Sequence, residues 1–138
     1  MKYLLDTHVI IWYAEDSSEL PKKITDIIDS PENEIYISSI SLWEIALKVS
    51  LGKLDLELPL DEFLINIRSR DFTFLQIEDK YLNRLLGLPF VHKDPFDRLI
   101  ISSALAEDLY PTTKTFSNDQ AACFPISQPQ VPSLPAMR

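Results

Sequence analysis

The sequence predicts an α/β protein, a three-layer α/β/α sandwich around a central, mainly parallel sheet. Three observations carry that reading. Short β-branched and aromatic segments alternate with segments of helical period. The 138 residues fit one domain, and 46% apolar residues supply a core without staples. The composition also stays even until about Phe124 and changes only there, where the chain turns proline-rich.

Tyr3-Leu4-Leu5 reads as a short buried strand ended by Asp6-Thr7, with a short helix over Val9 to Tyr13 behind it. Pro21 to Ser30 puts Ile24, Ile27 and Ile28 on one helical face, with Pro21 suited to the first turn. Pro31-Glu32-Asn33 breaks that helix, and Ile35-Tyr36-Ile37-Ser38 is a strand. Ser41 to Ser50 is helical, with Leu42, Ile45, Ala46 and Val49 inward and Gly52 just past the end. Leu60, Phe63, Leu64 and Ile67 form another helical stripe. Phe72 to Ile77 suits a strand, and Glu78 to Leu86 a helix stopped by Gly87. Pro95 to Asp108 is the strongest helix, and Lys114 to Ser117 is the expected last strand. Residues 1–124 are thus expected to form the domain. The tail 125–138, with Pro125, Pro129, Pro132 and Pro135, is expected to run extended or disordered.

Composition removes several functional classes. One cysteine, Cys123, leaves no disulfide framework or cysteine-rich zinc module and fits a reducing, cytoplasmic setting. Two glycines, Gly52 and Gly87, exclude a glycine-rich phosphate cradle. No apolar run reaches the length of a membrane span, and the opening Met1 to Asp6 meets charge too soon for a signal peptide. With 21 acids against 13 bases the formal charge is -8, so the bulk field does not favour nucleic acid. The surplus serves solubility or a carboxylate cluster that needs a cation.

In an open parallel sheet, ligands collect where strands end and helices begin. Asp6, Glu44, the pair Asp94 and Asp97, and Asp119 all fall at such junctions, and a parallel sheet brings them to one edge. Packed carboxylates repel unless a divalent cation neutralises them, and an all-oxygen donor set suits Mg²⁺ or Mn²⁺. Each acid also has a local role open to it. Ser41-Leu42-Trp43-Glu44 spells a capping box, Asp94-Pro95-Phe96-Asp97 a helix N-terminus, Asp6 a cap, and Asn118-Asp119 a turn. Capping alone does not require acids at a shared sheet edge, and one carboxylate can do both jobs.

Three segments, Leu4-Leu5-Asp6-Thr7-His8, Ser38 to Lys48 and His92 to Ile100, resemble PIN domains. More narrowly, they resemble the VapC-type toxins of prokaryotic toxin–antitoxin pairs. His92 to Ile100 is the most specific piece. The resemblance implies a Mg²⁺- or Mn²⁺-dependent ribonuclease with one or two ions, blocked by a cognate VapB-like antitoxin. It matches Asp6, Glu44, Asp97 and Asp119 to the catalytic, metal-binding acids, with Asp94 accessory. Thr7 and Ser117 match the small polar residues that hold those carboxylates, and Ser41 supports Glu44 from the capping box. The chain departs from the pattern after Asp119, where Ala121-Ala122-Cys123-Phe124 runs into prolines instead of a final strand.

In the mechanism that follows, a cation-activated water attacks phosphorus in line, and no histidine base is needed. Lys48, Lys53 and Arg98 are the bases nearest the edge, and Lys48, Arg98 and His92 are the RNA-contact candidates. His8 is expected to pack or face solvent, and Trp12 and Trp43 to serve core or interface. A homodimer using the apolar faces of the Pro21–Ser30 and Leu60–Arg70 helices is expected, and no membrane. The rival readings are a catalytically degenerate PIN domain used for binding and an aspartate-nucleophile phosphatase. The phosphatase wants a second aspartate where His8 stands.

Overall fold

The computed structural model describes residues 1–89 and 94–112. Within them the order is β1 (Lys2–Leu5), α1 (Thr7–Ala14), α2 (Lys22–Asp29), β2 (Glu34–Ser38), α3 (Ser39–Ser50), α4 (Leu60–Arg68), β3 (Thr73–Leu75), α5 (Asp79–Arg84), a 3₁₀ turn at Leu85–Gly87, α6 (Pro95–Glu107) and β4 (Tyr110–Thr112). The described strands form one parallel sheet in the order β3-β2-β1-β4. Tyr3 stands level with Ile35 on one side and with Tyr110 on the other.

Strand alternation divides the core between two faces. Leu5, Ile35 and Ile37 point to one, where they meet Val9, Ile10, Ile24, Ile28, Ile45, Phe63 and Ile67 from α1 to α4. Leu4 points to the other and packs with Ile40, Ile100, Ala104 and Leu109, joined by Tyr36 and Leu75. Helices therefore cover both faces, as the alternation of periods predicts. The apolar stripes of α2 and α4 are consumed here. Ile24, Ile28, Phe63 and Ile67 are buried, whereas Ile65 is exposed, so these helices do not offer the free apolar faces expected for self-association.

Two features differ from what the sequence suggests. The last described strand is Tyr110-Pro111-Thr112, in a segment that the central Pro111 disguises. Proline is tolerated in strands at a sheet edge, and β4 is an edge among the described strands. The expected strand at Lys114 to Ser117, the tail 125–138 and the proposed boundary at Phe124 lie outside the described residues. The second difference is the start of α3. The helix begins at Ser39, and Ser38 is its cap, its hydroxyl accepting from the Ile40 amide at 3.1 Å. Ser41 and Glu44 thus lie inside the helix, and the expected capping box does not form. Among the described residues, no helix is long and apolar enough to cross a membrane.

Candidate functional site

Strand order reverses beside β1: β2 and β3 build outward on one side, and the chain returns to place β4 on the other. The crevice at the carboxyl ends of β1 and β4 is the switch point where α/β sheets bind ligands. Asp6 stands there, as the residue between β1 and α1, and it is 6% exposed. Its backbone amide donates to Thr112 Oγ1 at 3.1 Å, and that hydroxyl in turn reaches the Leu4 carbonyl at 3.4 Å. Asp6 occupies the cap position of α1, yet its side chain makes no capping hydrogen bond. The capping role open to it in the sequence is therefore not taken up.

Glu44 comes to the same edge from α3. It is buried in the second turn, and both carboxylate oxygens are engaged. Thr7 donates its hydroxyl to Oε1 at 2.7 Å, and Lys48 donates its ammonium to Oε2 at 2.6 Å. Thr7 adjoins Asp6 in the chain, so its hydrogen bond to Glu44 ties α1 to α3. Ser41 lies one turn before Glu44 and three residues apart, the spacing of helix neighbours. Its hydroxyl is buried and, among the described residues, has no hydrogen-bond partner.

α6 delivers the remaining described acids. Asp94 caps it, accepting from the Phe96 and Asp97 amides at 2.8 and 3.2 Å, with Pro95 in the first turn. The local reading of Asp94 is thereby met, and the exposed carboxylate keeps its cap. Asp97 follows in the first turn, favoured by the helix dipole. Trp43 and Phe96, with ring centroids 5.1 Å apart, bring α3 and the start of α6 together. Lys48 feels this closeness. Its hydrogen bond to Glu44 raises its pKa above the ordinary lysine value, and the charges of Glu44, Asp94 and Asp97 add to that.

The structure thus gathers Asp6, Thr7, Ser41, Glu44, Lys48, Asp94 and Asp97 around one end of the sheet. Arg98, an RNA-contact candidate, turns back along the fold, donating to the carbonyls of Pro89 at 3.0 Å and Leu85 at 3.4 Å. His8 stacks edge-on against Trp12 and is half-buried. Trp43, expected in core or interface, is 58% exposed. Asp119, Ser117 and His92 lie outside the described residues. Thr112 is the site residue that sequence reasoning missed, because no strand was read over Tyr110–Thr112; a lone buried threonine beside proline gives little signal.

Among the described residues, no three His, Cys, Asp or Glu side chains form a group able to hold a metal ion. The donor chemistry nonetheless suits a hard divalent cation: carboxylate oxygens at a strand-end crevice, one of them already neutralised by an ammonium, beside an orphaned buried hydroxyl.

The PIN domain family model matches residues 3–120. The chain belongs to the PIN domain family. Among solved structures, this PIN domain is similar to VapBC2 from Rickettsia felis, bound to a DNA fragment from its promoter. That match has 21% identity and a TM-score of 0.59, covering 80% of this chain and 86% of the other. It is also similar to a toxin–antitoxin complex from Klebsiella pneumoniae at 20% identity and a TM-score of 0.54, covering 86% and 92%. At these identities the likeness is one of fold. No curated protein matches the chain.

Proposed function

We propose that this PIN domain is a VapC-like toxin, a metal-dependent endoribonuclease held inactive by a VapB-like antitoxin. The observation that supports the reading is the pair of buried carboxylates at the switch point, Asp6 and Glu44, the second held by the hydroxyl of Thr7, the residue next to Asp6 in the chain. Two buried acids side by side are costly, and a divalent cation at the strand ends would offset that cost. Asp6, Glu44 and Asp97, with Asp119 and the accessory Asp94, are the residues that would hold Mg²⁺ or Mn²⁺. When bound, such a cation supplies a Lewis acid for the phosphodiester and lowers the pKa of the attacking water.

The chain's own residues set the rest. Thr7 holds Glu44 in one orientation, and Thr112 fixes the backbone from which Asp6 projects. Lys48, a third exposed, offers positive charge to an RNA phosphate at the rim. Arg98 is the weaker candidate, since carbonyl oxygens engage its guanidinium. For the antitoxin, Trp43, Leu47 and Leu51 form an exposed apolar strip at helical spacing on the helix that carries Glu44. Self-association is proposed as well; Leu82 and Leu86 provide a second exposed pair.

The test is cleavage of a structured RNA by the purified chain with Mn²⁺ or Mg²⁺. Activity that disappears with chelator and with Asp6→Asn is expected. Full activity in Asp6→Asn contradicts the assignment. A catalytically degenerate binding module is the second reading, favoured by the ammonium standing on Glu44. Calorimetry with Mn²⁺ separates the two, since a module without a metal site takes up no ion.

A further inference from the structure

Glu44 and Lys48 are unequal partners. The glutamate side chain is 3% exposed and the lysine side chain 33%. Glu44 cannot turn to water for solvation, whereas the lysine can withdraw its ammonium along a flexible stem at little cost. The Thr7 hydroxyl donates to Oε1, and the Lys48 ammonium stands on Oε2 at 2.6 Å. A Mg²⁺ ion binds carboxylate oxygen at about 2.0–2.1 Å and demands close to octahedral surroundings. An ammonium at hydrogen-bond distance occupies a lone pair of the same oxygen and repels the ion.

We propose that Lys48 is the built-in counter-cation of Glu44, competing with the divalent ion for Oε2, so that metal binding displaces its ammonium. The inference rests on the reading of Asp6, Glu44 and Asp97 as cation ligands. Lys48 then has two positions: on the carboxylate without metal, and at the rim with it. The pairing holds the buried glutamate in one orientation before the ion arrives, and it sets the metal concentration at which the site fills.

The full-length chain, stripped of metal, is titrated with Mn²⁺ by calorimetry as wild type, Lys48→Met, Lys48→Arg and Asp6→Asn. Lys48→Met is expected to bind Mn²⁺ about tenfold more tightly, since both the competing ion pair and the repulsion are gone. Lys48→Arg, which keeps the charge, stays close to wild type. Equal or weaker binding by Lys48→Met, while wild type binds and Asp6→Asn does not, overturns the role of Lys48 and leaves the metal site standing. Wild type that takes up no Mn²⁺, or Asp6→Asn that binds as well as wild type, overturns the ligand reading and this inference with it. A measurement without substitution guards against a variant that fails to fold. The Lys48 ammonium resonance in the wild type is expected to lose its hydrogen-bonded character at saturating Mg²⁺; a signal that stays unchanged while the ion binds refutes the displacement.

Discussion

Two neighbours hold the Glu44 carboxylate, so each can be removed in turn. Thr7→Val deletes the donor to Oε1 and leaves a buried acceptor unsatisfied, a loss of about 1–3 kcal/mol. Urea denaturation of the metal-free protein measures it, and Thr7→Ser is expected to recover most of it. Asp6→Asn and Asp97→Asn are expected to abolish RNA cleavage with the melting temperature held or slightly raised, because neutralising either acid relieves repulsion. Cleavage of a labelled RNA beside a thermal melt reads both. Asp6 and Asp97 stood out in the sequence because one follows a strand and the other opens a helix, and Glu44 because it lies soon after a strand; a parallel sheet carries such positions to one edge. The link between them was not legible. Which hydroxyl faces Glu44 depends on how α1 and α3 cross, a matter of packing that no spacing encodes, whereas Lys48 follows four residues on along the same helix, a spacing the sequence does display.

At the scale of elements, helix ends test the fold independently of the site. Asp94 accepts two amides at the start of α6, so Asp94→Ala is expected to destabilise by about 0.5–2 kcal/mol, read as a lower denaturation midpoint. α3 ends with the Gly52 amide on the Val49 carbonyl and the Lys53 amide on the Lys48 carbonyl, a closure that puts Gly52 at φ +70°. A Cβ there meets nothing within 4 Å, so Gly52→Ala costs only its backbone strain, about 1–2 kcal/mol. Most element positions were legible from period and punctuation: Gly52 closes α3, Pro95 opens α6, and Pro31 lies in the break between α2 and β2. The start of α3 was not, because two serines competed for its cap. Ser38 takes it since β2 runs straight into the helix, and that strands the hydroxyl of Ser41 indoors. β4 escaped notice because proline normally argues against a strand, and only its edge position excuses Pro111.

Across the whole molecule, stability is expected to depend on pH through a network far from the crevice. The buried Tyr81 hydroxyl donates to Glu107 at 2.9 Å, and Lys80 pairs with the same carboxylate at 2.5 Å. Burial, and then the carboxylates beside it, push the Tyr81 phenol well above its ordinary value of 10.0. The folded chain keeps that proton where the unfolded chain releases it, so stability falls as pH rises past 10.0. Tyr81→Phe is expected to flatten this alkaline arm in urea titrations run from about pH 9 to about pH 11. Glu107 shifts the other way, lowered chiefly by its bond to Lys80. Its contribution is present above the ordinary 4.5 and is lost as acid drives the pH down through the lower folded value.

The bond from the Asp6 amide to Thr112 joins positions 106 apart in the chain. During vectorial synthesis the first strand leaves the ribosome long before its later neighbour exists, and residue 6 waits without that anchor until nearly the whole domain has emerged. A crevice built this way is closed last of all: no shorter piece of the chain that stops before position 112 can hold residue 6 by this bond.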